Sequence, residues 1–380
     1  MSTFKHIVTA GTLLLVAAAL AACSPSGPAD QTPTTAPSSS APGGNAEAKA
    51  AAAATVAEYN KAPTARTLEP LSTKPPTGKR VITISCPLPV CATVSGNVTQ
   101  AVEALGWEHQ ILVAEFDPES YASAFDTAVQ LAPDYVEFIS TQPVDVVSTQ
   151  LAALKAAGIP VVITSPGLDT QIGGDSPLVG AVDSKDVVDL YAGLQAAVVI
   201  ADADDLQGTV TYMLDPSSPS YVVAKDVFTA AVAAAGGTVN TLEFAQADVG
   251  TTLPGQVVSY LQRNPNTEYL VAPLDSHFLG VVEAIQAAQL DLPKLIGAYP
   301  DVESSNRLRT GTEFAVIVPD VFGAKWDAVD IFARLSVGDP IPDNTPVGNA
   351  MIATKDTVDL IPTGLFQGAP GAYLKAWHVE

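Results

Sequence analysis

The chain has 380 residues, of which 40 are acidic and 18 basic, for a formal net charge of −22. That balance speaks against nucleic acid as a partner, because such binding draws its affinity from lysine and arginine on phosphates, and it repels anionic lipid headgroups. Three cysteines and four histidines, the latter scattered, leave no evident cluster for a structural metal.

In chain order, Lys5 precedes an apolar run from Ile7 to Ala19. The run is short for a membrane span and fits the core of a signal peptide over residues 1–22. It closes in "LAAC", Leu20 to Cys23, which resembles the lipobox of bacterial lipoproteins. The resemblance implies that Cys23 is lipidated and becomes the new N-terminus. A diacylated cysteine is a firm anchor where one acyl chain is marginal. Residues 23–80 then read as a tether and spacer. Ser24 to Gly44 contains almost nothing to bury and should reach roughly 25 Å as a flexible coil. The alanines of Ala46 to Ala62 favour helix over a thin apolar face, which predicts a loosely docked or frayed element. Pro70 to Arg80 is a second spacer.

The folded part begins at Val81 with "VITIS", which runs into "CPLPVC". Setting Cys23 aside leaves Cys86 and Cys91 as an even pair in an exported chain, which predicts a disulfide; free buried thiols are the alternative. So small a ring would contribute only about 2 kcal/mol by chain entropy, so its use is loop shape.

Beyond that loop the pattern alternates. A helix is predicted from Ser95 to Leu105, strands at Ile111 to Phe116 and Tyr135 to Ser140, and helices from Tyr121 and from Val144. Strands follow at Ile159 to Ser165 and Pro177 to Ser184, then a long helix to Asp202. The rhythm restarts with "GTVTYML", "TVNTLEF", "EYLVAPL" and "KLIGAY", separated by amphipathic helices. Short, nearly all-apolar strands between such helices mean parallel sheets covered on both faces. The predicted fold class is α/β, with two doubly wound lobes. Ligands in such sheets sit beyond the carboxyl ends of the strands.

No enzyme motif is present: no H-E-x-x-H, no G-x-S-x-G, no phosphate-binding loop and no G-x-G-x-x-G. The expectation is a binding protein without catalysis, cofactor or metal. Asp275 and His277 stand two apart without further ligands nearby, so Asp275 either caps its helix or meets ligand. Trp107 and Trp326 read as packing residues.

Several segments together resemble the type 1 periplasmic binding proteins of the ribose and galactose transporter class. They are "AALKAAGIPVVITS", "GAVDS", "LDSHFLGVVEAIQAAQL", "LIGAYPDVES" and "GTEFAVIVPDVFGAKWDAVDIF", in that order. The resemblance implies two hinged lobes, 81–182 with 320–345 and 183–319 with 346–380. It implies a small neutral, sugar-like ligand bound in an interlobe cleft, and an ABC permease as partner. It further implies a monomer outside the cytoplasmic membrane, lipid-anchored to its outer face. A less polar or aromatic ligand, or a sensing role beside a membrane receptor, stays open. Ribose-type binders grip sugar with aromatic and charged residues, and the matching positions here are Leu88 to Cys91, Ser165, Pro166, Ala224, Leu274 and Tyr299. The candidate ligand contacts are Ser85, Leu88, Val90, Ser140, Thr141, Thr164, Ser165, Asp215, Asp275, Tyr299, Asp320 and Phe322.

Overall fold

A computed structural model describes residues 43–62, 68–164, 170–182, 185–341, 350–361 and 370–379. Cys23, most of the tether, Ser165 and Asp183 lie outside the described residues. Helix α1 (Gly43–Tyr59) precedes β1 (Arg80–Ser85), α2 (Pro89–Ala104), β2 (Glu108–Val113), α3 (Pro118–Leu131), β3 (Tyr135–Ile139), α4 (Ser148–Ala156), β4 (Val161–Thr164) and β5 (Leu178–Val182). The second series is α5 (Lys185–Asp202), β6 (Val210–Leu214), α6 (Pro219–Ala234), β7 (Val239–Glu243), α7 (Leu253–Arg263), β8 (Tyr269–Val271), α8 (Val281–Ala287), β9 (Lys294–Ala298), α9 (Val302–Thr310) and β10 (Ala315–Pro319). Helix α10 (Val321–Val337), β11 (Ala350–Thr354) and α11 (Pro370–Ala376) complete the chain.

Two sheets form, in the orders β2-β1-β3-β4-β5 and β11-β10-β9-β8-β6-β7. Neighbouring strands are parallel except for β10 and β11. The apolar strings of β4, β6 and β10 are buried along their whole length, as sheets covered on both faces require. Strand β2 starts at Glu108, three residues before the apolar run that marks it in sequence. It is an edge strand open to solvent, so its pairing with β1 from Glu108 onward tolerates polar residues. Helix α2 likewise starts earlier than predicted, because Pro89 sits in its first turn, where a missing N–H costs nothing.

The chain returns to the first sheet after β10. Helix α10 packs over α2, β4 and β5. Gly180 makes room for it: a Cβ there would stand 2.6 Å from Ile331 Cδ1. Strand β11 then joins the second sheet. Helix α11 lies against α10. Trp377 stacks on Trp326 with centroids 5.3 Å apart and donates its indole N–H to Asp330 at 2.7 Å. Tyr373 donates its hydroxyl to Asp327 at 2.6 Å. These aromatics need a deep apolar surface, and α10 offers the nearest one.

The N-terminal spacer is also docked. Leu71 N–H donates to Ala376 O at 2.9 Å, and Arg334 donates to Glu69 O at 2.7 Å. Helix α1 packs along α5, where Lys49 donates to Ala203 O at 2.8 Å. Of the two expectations for this segment, loosely docked or frayed, the helix is docked on α5. Among the described residues, no helix is long and apolar enough to cross a membrane.

Substituting Trp377→Ala should cost about 3–5 kcal/mol, the usual loss for a fully buried large aromatic. Trp377→Phe should cost less. Urea unfolding curves measure both, and a loss under about 1 kcal/mol for the alanine variant would contradict the packing of α11 on α10.

Candidate functional site

Because nearly all strands run parallel, their carboxyl ends gather at one side of each sheet. There they enclose a cavity of about 550 Å³. The first sheet contributes Cys86 and Leu88 after β1 and Ile139, Ser140, Thr141 and Gln142 at the end of β3. The second contributes Asp215 to Ser218 after β6, Glu243 to Asp248 after β7, Leu274 after β8 and Tyr299 after β9. Val188 and Tyr191 of α5, Tyr221 of α6 and Lys325 of α10 close it.

The disulfide between Cys86 and Cys91 is formed, with Cα atoms 5.5 Å apart. It joins the end of β1 to the first turn of α2, and both cysteines line the cavity. Beneath it, Ser95 and Ser85 hydroxyls lie 2.8 Å apart, and Ser85 is buried away from the cavity lining. "CPLPVC" is thus half loop and half helix start, an uncharged wall held by a covalent link.

Of the residues predicted from sequence, Leu88, Ser140, Thr141, Asp215 and Tyr299 meet at the cavity. Asp215 is buried, and its carboxylate accepts from Ser217 N–H at 2.9 Å, Ser217 Oγ at 2.7 Å and Gln246 N–H at 3.2 Å. Burial, and then the Asp215 charge, push the neighbouring Tyr221 phenol upward, so it stays protonated. Asp248 accepts from Thr252 at 2.6 Å and Gln256 at 3.0 Å, which holds its carboxyl below the usual range.

Four predicted residues are placed elsewhere. Thr164 donates to Glu137 at 2.5 Å within the sheet. Asp320 accepts from Gly323 N–H at 2.7 Å and caps α10. Ser85 lies under the disulfide. Asp275 is fully buried on the far side of its turn, paired with Ser304 and Arg307. Gly297 leaves the space for it, since a Cβ there would fall 2.1 Å from Asp275 Oδ1. Arg307 also holds Glu313 at 2.9 Å and Asp301 at 3.5 Å. Burial, and for Glu313 the charge of Asp275, push both carboxyls above the usual carboxylate range, against the opposing pull of Arg307. Ser165 and the side chains of Val90 and Phe322 lie outside the described residues.

The structure adds groups that sequence reasoning missed. Lys325, 2% exposed, donates to Glu137, 0% exposed, at 2.6 Å. Glu137 left a sequence signal, because a lone charge inside the apolar strand "YVEFI" demands a partner; Lys325 left a weaker one, since its helix also carries Asp327, Asp330 and Arg334. Phe116, Phe244, Gln246 and Tyr191 also line the cavity. The Gln246 carboxamide lies 3.2 Å from His277 Nε2. Burial pushes the His277 imidazole down to about 3, so it is neutral at any physiological pH. Its ring packs edge-on to Tyr221 and Phe244 at 5.4 and 4.9 Å.

Tyr299 has φ 58°, the left-handed region that a bulky side chain seldom occupies. Its backbone N–H nonetheless bonds Ile317 O at 2.9 Å, so the sheet holds it there. The conformation turns its ring into the cavity, edge-to-face with Tyr191 at 5.5 Å. Strain of this kind gathers at functional sites.

Among solved structures, a periplasmic ribose ABC transporter protein from Conexibacter woesei is 17% identical, with a TM-score of 0.60 over 80% of this chain and 99% of its own. A myo-inositol binding protein from Caulobacter, bound to myo-inositol, is 18% identical, with a TM-score of 0.61 over 74% of this chain and 94% of its own. An ABC transporter solute binding protein from Mycobacterium smegmatis, with bound glycerol, is 18% identical, with a TM-score of 0.63 over 76% of this chain and 99% of its own. No protein-family model matches the chain, and no curated protein matches it in sequence. The structural likeness identifies the fold as that of type 1 periplasmic binding proteins, with two doubly wound lobes.

A residue held at positive φ separates glycine from alanine. Tyr299→Ala and Tyr299→Gly lose the same ring contacts, but only glycine relieves the backbone. The glycine variant should be the more stable by about 1 kcal/mol, read from urea midpoints. Equal stability, or a more stable alanine variant, would show that the conformation carries no strain.

Proposed function

We propose that this protein captures a small uncharged solute in the cavity between its lobes and delivers it to an ABC importer, with binding and not catalysis as its role. One observation carries the reading: strand ends from both sheets line a single cavity. A site split in this way is formed fully only when the lobes are together, so ligand and closure support each other. The chain passes between the sheets after β5, after β10 and before β11. Structures of the same fold carry sugars, inositol or glycerol, which agrees with a neutral solute.

Charge supports the same class. The lining carries Asp215, Glu243 and Asp248, and its one cation among the described residues, Lys325, is paired with Glu137. Anionic solutes such as sugar phosphates or organic acids would meet a repulsive field with no free counter-charge. The partner would be a permease of the importer. Cys23, lipidated, would hold the monomer on the outer face of the cytoplasmic membrane.

A thermal-shift panel of sugars, polyols, nucleosides, ring compounds and organic anions tests the capture reading. Uncharged members should raise the unfolding midpoint and anions should not; a tightly bound sugar phosphate would overturn the charge argument. At saturation, small-angle scattering should show a smaller radius of gyration, and an unchanged value would exclude closure. For the anchor, Cys23→Ser should release the protein from the membrane fraction, and unchanged retention would remove Cys23 from the account.

A further inference from the structure

Several polar groups at the cavity are already engaged with the protein, while the buried Gln246 Oε1 has no hydrogen-bond partner. Lys325 is held by Glu137, and Asp215 by Ser217 and the Gln246 backbone. Asp248 is held by Thr252 and Gln256, and the hydroxyls of Ser218 and Ser220 bond each other at 3.1 Å. A polyol presents many hydroxyls that lose water on entry, and each needs a partner in the site. Each bond already made to the protein leaves such a group fewer lone pairs or protons for a ligand hydroxyl.

The apolar side of the lining is different in kind. Phe116, Tyr191, Phe244 and Tyr299 bring aromatic rings to it, beside Leu88 and the disulfide. Tyr191 and Tyr299 meet edge-to-face at 5.5 Å, and the backbone of Tyr299 is held at φ 58° to keep its ring there. Aromatic faces and edges attract other flat rings by offset stacking and edge contacts. Ligand sites of this size, about 550 Å³, are commonly apolar with few fixed polar groups.

We propose that the ligand is an uncharged planar ring compound with few hydrogen-bonding groups, seated against Tyr191 and Tyr299, and not a polyol. This rests on the reading of the cavity as a solute site. The class is set by what the wall offers: aromatic rings, and polar groups of which Lys325, Asp215, Asp248, Ser218 and Ser220 are already bonded to the protein.

The test is titration calorimetry on the purified full chain with two probe sets. One set is nicotinamide, indole and caffeine; the other is D-ribose, myo-inositol and glycerol. At least one ring compound should bind 100-fold or more tightly than every polyol. Tyr299→Gly and Tyr191→Leu, with folding checked by circular dichroism, should each weaken that ring compound at least 10-fold. If a polyol binds more tightly than every ring compound, this inference fails while solute capture stands. If neither set binds, the capture reading fails and takes the inference with it. If ring binding is untouched by both substitutions, the aromatic wall is not the seat and the inference is overturned.

Discussion

The ion pair between Lys325 and Glu137 is the contact on which most of the rest depends. Both groups are buried, and the ammonium and carboxylate meet at 2.6 Å. Neither could stand alone there, since removing one partner of a buried pair costs about 3–5 kcal/mol. Glu137 lies in the middle of the first sheet and Lys325 on the helix that returns to it after β10. The pair therefore seats α10, and α10 carries the packing of α11 and of the spacer before β1. It also neutralises the one cation among the described lining residues.

Behind the second half of the cavity a different device operates. Asp275, Asp301 and Glu313 surround Arg307, and burial raises the Asp275 and Glu313 carboxyls above their usual range. This network ties the turn after β8 to α9. His277, two residues on from Asp275, then packs its neutral ring against Phe244 and Tyr221 and contacts Gln246. The charged groups sit behind the wall, and the wall itself presents rings and carboxamide. Polar stability and cavity character are thus separated across one short turn.

Much of the architecture was legible without coordinates. Alternation of short apolar strands with amphipathic helices indicated two parallel sheets, and an even cysteine pair indicated the disulfide. Helix α9 escaped that pattern because "VESSNRLRT" is mostly polar and is held by the Asp301 cap and Arg307 rather than by an apolar stripe. Strand β2 escaped in part because an edge strand carries polar residues freely. Among the candidate site residues, Leu88, Ser140, Thr141, Asp215 and Tyr299, at strand ends, line the cavity. Asp275 stands at the same kind of position, yet its side chain turns away from the cavity.

What the sequence alone determined is whatever depends on local order: the period of apolar residues, the strand ends, the cysteine spacing and the net acidity. These depend on neighbours in the chain or on simple counts. Only the tertiary structure decided which polar groups were already partnered. Lys325 and Glu137 are 188 positions apart, and Asp275 and Arg307 are 32 apart. A charge can bind ligand or neutralise another charge, and a residue list does not distinguish the two. Distance in space does, because electrostatic pairing falls off within a few ångströms in water but governs wherever water is excluded.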